Sequence, residues 1–107
     1  MAKKQPFVLV FDTDVKRHLE AIEDKHHALI HKAIGEQLRF EPETETRNRK
    51  PLERPVDLGA TWELRCGPQN RFRVLYSVDV EHREVLILAV GVKDRNRLMI
   101  GGEEVKL

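Results

Sequence analysis

The stretch Trp62-Glu63-Leu64-Arg65-Cys66-Gly67-Pro68-Gln69-Asn70-Arg71-Phe72-Arg73-Val74-Leu75-Tyr76-Ser77-Val78 decides the fold. Trp62, Leu64 and Cys66 alternate with Glu63 and Arg65, while Phe72, Val74, Tyr76 and Val78 alternate with Arg71, Arg73, Leu75 and Ser77. A period of two sends successive side chains to opposite faces of a strand, so the pattern predicts two half-buried strands. Gly67-Pro68-Gln69-Asn70 between them is turn chemistry. Directly opposed residues of an antiparallel pair share a face. For the apolar set of one strand to meet that of the other, paired residue numbers must sum to an even value. Arg73 then lies opposite Arg65 or Glu63, never opposite Leu64. The hairpin has one apolar face and one face carrying Glu63, Arg65 and Arg73.

Downstream, Asp79 to Arg83 reads as a second turn, and Val85 to Val92 as a strand apolar on both sides. If Leu86, Leu88 and Val90 face the helices, Lys93 emerges on the arginine side. Val85, Ile87 and Ala89 would emerge there too. They would need a cover, either Met99-Ile100 and Val105-Lys106-Leu107 or a partner received in a groove beside this strand.

Upstream, Phe7 to Phe11 reads as a short strand. Asp12, Thr13 and Asp14 are good helix N-caps, and Val15, Leu19 and Ile22 follow at helical spacing. Glu23 to His27 loosens the pattern into a turn. Ile30, Ala33, Ile34 and Leu38 continue as a second amphipathic helix that Pro42 ends, since proline has no amide hydrogen to donate. Glu43 to Gly59 is polar and broken by Pro51, Pro55 and Gly59, a long loop or a partly extended arm, and connections of that length tend to be functional or mobile. The expectation is an α+β fold in a single domain spanning residues 1–107. It has an N-terminal strand, a two-helix hairpin and a three-stranded antiparallel meander completing one sheet, with the helices on one face.

Composition narrows the function classes. With 107 residues, 40% hydrophobic and 35% charged, the chain is an ordinary soluble globule. Its N-terminal apolar run, Phe7 to Phe11, is closed by Asp12, too short for a signal-peptide core or a membrane span, so a cytoplasmic protein is expected. Cys66 is the single cysteine, which excludes an internal disulfide and any cysteine-based zinc site; it reads as a small buried hydrophobe. His27 and His31 are four apart on a helix, yet no third ligand type lies nearby, so neither metal nor cofactor is expected. A net charge of +1 argues against binding nucleic acid by bulk electrostatics, but the cations gather. They cluster at Arg47, Arg49, Lys50 and Arg54, at Arg65, Arg71 and Arg73, and at Lys93, Arg95 and Arg97.

Trp62-Glu63-Leu64-Arg65, then Arg71-Phe72-Arg73-Val74-Leu75-Tyr76, then Val85 to Lys93 through Val90-Gly91-Val92, resemble the central sheet of the RelE/ParE toxins. Arg49-Lys50-Pro51-Leu52 resembles the lysine-proline-leucine stretch that often precedes that sheet. The resemblance spans nearly the whole chain and implies the toxin of a type II toxin–antitoxin module, held inactive by a cognate antitoxin. In its RelE branch it implies a ribosome-dependent endoribonuclease that cuts messenger RNA without a metal. In its ParE branch it implies a binder of DNA gyrase with no catalysis, and a catalytically weak antitoxin-binding member is a third possibility.

By family position, the resemblance gives charge stabilisation of the phosphate to Arg73, with Arg65 and Lys93 beside it. Arg47, Arg49, Lys50, Arg71 and Arg95 would hold the RNA. Two positions depart from the family. Met99 stands where nuclease members carry a tyrosine or histidine. Glu63 stands where some carry a lysine; it could accept a proton, although neighbouring arginines would compete for its oxygens. Tyr76 and His82 are the substitutes on offer for the missing acid.

Overall fold

Apolar residues recur at helical spacing before Pro42 and alternate after Thr61. In the computed structural model, which describes residues 5–54, 56 and 58–105, these two patterns become helices laid on a single sheet. The elements are β1 (Val8–Phe11), α1 (Asp14–Glu20), a 3-10 turn (Asp24–His26), α2 (His27–Leu38), β2 (Arg49–Pro51), β3 (Trp62–Cys66), β4 (Phe72–Asp79), β5 (Glu84–Asp94), β6 (Arg97–Ile100) and β7 (Glu103–Val105). Strands β2 to β7 lie in sequence order and pair antiparallel, and β1 adds in parallel to the start of β5. The α+β layout is as expected, but the meander is longer. β6 and β7 extend it beyond β5, and the segment after Pro42, read as a long loop or a partly extended arm, contains the edge strand β2, where Pro51 lacks only an edge amide. Pro55, Lys106 and Leu107 lie outside the described residues. No helix among the described residues is long and apolar enough to cross a membrane.

Local chemistry explains the helical half. The Asp14 amide donates to Asp12 Oδ1 at 2.9 Å and starts α1. His27 Nε2 lies 2.7 Å from the Leu19 carbonyl oxygen and 2.8 Å from that of Ile22. Carbonyls only accept, so this nitrogen carries the proton and joins the end of α1 to the start of α2. Val15, Ile22, Ile30, Ile34 and Leu38 then pack on Leu64, Phe72, Val74 and Tyr76. Fully buried Tyr76 donates its hydroxyl to the Pro42 carbonyl at 2.6 Å, and burial pushes its phenol well above the usual range. Cys66 is buried in the same core, and burial raises its thiol to about 11, so it packs as an apolar side chain with no thiolate at neutral pH.

Trp62 pairs with Tyr76, Leu64 with Val74 and Arg65 with Arg73, the even-sum register. In β5 the alternation slips. Leu75 pairs with Ala89 but Tyr76 with Ile87, which leaves Leu88 as the extra residue of a bulge. Val85 and Ile87 therefore join the helix-side core with Val90, contrary to the expectation that placed them with the arginines. Ala89 does lie on the far face. There it packs with Leu75, Leu98, Ile100 and Val105, so the groove expected beside this strand is filled by the chain's own C-terminal hairpin. Gly91 permits that closure: a Cβ there would stand 2.7 Å from the Met99 carbonyl oxygen.

The bulge sits where β5 changes neighbours. β1 pairs with Glu84 to Ile87 and β6 with Gly91 to Asp94, so residues 88–90 meet no strand on that side. The Val90 amide instead donates to Nδ1 of buried His18 at 3.3 Å. Burial, then Arg17, lowers the imidazole below its ordinary value of 6.5, against a smaller raising effect of Asp14 and Asp12. The unfolded chain thus binds this proton more readily than the folded one. His18's contribution is complete above about pH 6.5 and is lost as pH falls through the lower folded value. Thermal melts across pH 7.5 to 5 should show an acid-side loss of stability that His18→Asn, which keeps an acceptor without titrating there, makes shallower. An unchanged slope would remove His18 as its source.

Candidate functional site

The β3–β4 register sets Arg65 directly across from Arg73 on the face away from the helices. Like charges so placed repel, and a carboxylate two residues along the strand resolves the conflict. Oε1 of Glu63 accepts from Arg65 Nε at 2.7 Å and from Arg73 Nη1 at 2.6 Å. Arg73 Nε donates to the Asn70 carbonyl at 3.0 Å. That carbonyl comes within reach because Gln69 and Asn70 take left-handed conformations, φ 58° and 54°. Arg73 is thereby fixed on two sides with its side chain 11% exposed, whereas that of Arg65 is 36% exposed. Glu63 itself is buried.

Around this cluster opens a cleft of about 520 Å3, lined by Glu63, Arg65, Arg73, Lys93, Asn96, Arg97, Leu98, Glu104 and Val105. Glu63 and Arg65 also line a second cleft of about 610 Å3, together with Lys50, Pro51, Leu52, Glu53 and Arg54. Lys50, Arg65, Arg73, Lys93 and Arg97 thus follow one another on β2, β3, β4, β5 and β6. Neighbouring strands are about 4.8 Å apart, so this row of cations runs roughly 19 Å across the sheet. A planar guanidinium held in place suits a phosphate diester, and lysine ammonium groups at the margins suit its neighbours as point charges.

Of the residues marked from sequence, Glu63, Arg65, Arg73 and Lys93 come together, and Lys50 borders them. Arg49 does not. It pairs with Leu64 on the helix side, is buried, and donates from Nε to the Thr44 carbonyl at 2.9 Å. Its Nη1 donates to the Gln37 carbonyl at 2.7 Å and to Gln37 Oε1 at 2.9 Å, so it anchors the edge strand to the last turn of α2. Arg71 precedes β4 in a helical conformation, which breaks the alternation; its side chain lines a helix-side pocket with His18 and Met99. Arg47 and Arg95 are exposed and line neither cleft, Arg95 at the tip of the β5–β6 turn.

Neither substitute acid reaches the cleft. Tyr76 is in the core, and His82 sits in the β4–β5 turn, where Asp79 Oδ2, 2.8 Å from Nδ1, raises its pKa. Met99 pairs with Val92 and lines the helix-side pocket. The reading from sequence missed Asn96, Arg97 and Glu104 as cleft residues. Their signal was present: Arg95-Asn96 followed by alternating Leu98 and Ile100 is a hairpin pattern. Arg49→Ala should cost about 2–4 kcal/mol in denaturant unfolding, because it removes charged hydrogen bonds at a buried position. Lys50→Ala should stay within about 0.5 kcal/mol of the parent in the same measurement.

No family model matches the chain, and no curated protein does. Among solved structures, it is similar to a chain in the crystal structure of the RelBE2 toxin–antitoxin complex from Mycobacterium tuberculosis. The two share 31% identity with a TM-score of 0.64, over 87% of this chain and 98% of that one.

Proposed function

The chain belongs to the RelE family of toxins, and on that premise we propose that it stops translation by cutting messenger RNA on the ribosome. The observation that carries this reading is the Glu63–Arg65–Arg73 cluster, anchored on the buried Glu63 and opening on a cleft whose other cations are Lys93 and Arg97. In RNA cleavage the ribose 2′-hydroxyl gives up its proton to water and attacks the adjacent phosphorus as the bond to the 5′-oxygen breaks and that oxygen takes a proton from water; negative charge builds on the phosphate between. Arg73 presents its remaining guanidinium donors to that charge, and Arg65 and Lys93 flank it from the neighbouring strands. Lys50 and Arg54 lengthen the track for the backbone on one side.

Removing one preorganised donor of this kind costs roughly two to three powers of ten in rate. Arg73→Ala should therefore abolish growth arrest without loss of fold. The decisive measurement is a map of RNA 5′ ends soon after induction. New ends in phase with codons on translated messages support the reading; arrest without new ends sinks it. One observation favours a second reading, inhibition of DNA gyrase by binding alone. Met99 turns to the helix side and leaves the cleft without the histidine or tyrosine that cleavage would use as an acid.

The partner of such a toxin is its antitoxin, and β1 is the surface we assign to it. Among the described residues this strand pairs with β5 alone. The Val8 and Asp12 amides donate to the Arg83 and Ile87 carbonyls, so the two-residue period turns those of Leu9 and Phe11 the other way. Val8 is 61% exposed and Phe11 41%, beside an apolar groove against α2 that includes Phe7, Ile34 and Gly35. An added segment would gain a ladder and an apolar seat together. Phe11→Ser should weaken binding of the cognate antitoxin at least about tenfold by titration calorimetry and leave the melting transition in place; unchanged affinity would move the contact elsewhere.

A further inference from the structure

We infer that Glu63 is the positioning residue that limits how tightly the cleft takes an anion, because its buried carboxylate holds and neutralises the two arginines whose remaining donors a phosphate would use. The inference rests on the cleft being an RNA-phosphate site. Arg73 spends Nε on the Asn70 carbonyl and Nη1 on Glu63, and Arg65 spends Nε on Glu63. What remains for a phosphate are terminal nitrogens, aimed by the carboxylate but also neutralised by it. Both bonds end on Oε1, and the side chain is 6% exposed, so water screens this charge far less than that of the exposed Glu104 on the same cleft.

A fixed anion here does two opposing things. It lets two opposed arginines coexist, and it repels the phosphate they are set to hold. Glutamine has the same length and keeps an acceptor oxygen for both arginines, but it carries no charge. A unit charge about 6 Å from a phosphate, at the effective dielectric of a partly buried site, changes affinity by about ten- to hundredfold. Removing the charge alone should therefore tighten binding, an outcome that loss of structure does not produce.

The test is fluorescence anisotropy of a labelled single-stranded RNA hexamer with the full chain as wild type, Glu63→Gln, Glu63→Asp and Arg73→Ala. Each protein's fold is checked by circular dichroism. The expected result is that Gln tightens binding about ten- to hundredfold, Asp does not tighten it, and Arg73→Ala abolishes it. Equal or weaker binding by a folded Gln variant overturns the inference, as does a gain shared by Gln and Asp, which would trace the effect to shape. If Gln does not fold, Glu63→Met tests the same loss of charge. If neither neutral variant folds, Glu63 is a structural requirement and the inference falls. Should the wild type ignore RNA and Arg73→Ala change nothing, it is the RNA reading that fails. Titration of the same proteins with inorganic phosphate then decides Glu63's role: tighter phosphate binding by Gln keeps it, and no gain removes it.

Discussion

Two guanidiniums lie directly across a strand ladder, and the rest of the charged face is arranged around that conflict. The even-sum register that buries Leu64 and Cys66 against Val74 and Phe72 brings Arg65 and Arg73 together on the other side. A one-residue slip would separate them only by turning the apolar sets of β3 and β4 to opposite faces. The core therefore holds the arginines where electrostatics alone would not. Glu63 makes the arrangement tolerable, and the left-handed turn at Gln69 and Asn70 supplies the second anchor for Arg73. Hydrophobic burial and charge geometry are thus coupled through one ladder.

The interior of the same sheet shows the coupling from the helix side. β5 serves two partners in succession, β1 in its first half and β6 in its second. A strand in that position must be covered on both faces, which is why its sequence is apolar without alternation. The bulge at Leu88 lets its first half present Val85 and Ile87 to the helices and its second half present Val90 there, with Lys93 left on the charged face. His18 completes the ladder between the two partners by accepting the Val90 amide.

What could be read from the sequence follows from these same features. Where apolar and charged residues alternate, as in β3 and β4, both the elements and their register were legible, and with them Glu63, Arg65 and Arg73 as neighbours. Where both faces are apolar, as in β5, period-two reasoning has nothing to lock onto, so the bulge and the direction of Val85 and Ile87 were not. Lys93 was placed correctly because it lies beyond the bulge, in phase with Gly91 opposite Arg73. Arg49 and Lys50 are adjacent cations in a polar stretch, and only the pairing of a three-residue edge strand sends one to the core and the other to the cleft. Arg71 reads as strand by alternation, but the turn before β4 holds it in a helical conformation.

Alternation also explains why Met99 is not among the residues of the cleft. Met99 and Leu98 are sequence neighbours on β6, and the strand sends Leu98 to the cleft and Met99 to the helix side. Any side chain at position 99 would start from the helix side, away from the cleft. Residues that line the cleft from the C-terminal hairpin are instead Arg97, Leu98, Glu104 and Val105. Leu98 and Val105 belong to the apolar cluster that closes over Leu75 and Ala89, so the hairpin that roofs the far face also walls the cleft. The polar groups of that wall are carried on an apolar seam, with Arg97 held 3.7 Å from Asp94 across the β5–β6 turn. The cations of this cleft are therefore built into the sheet itself, Arg65, Arg73 and Lys93 standing on three neighbouring strands.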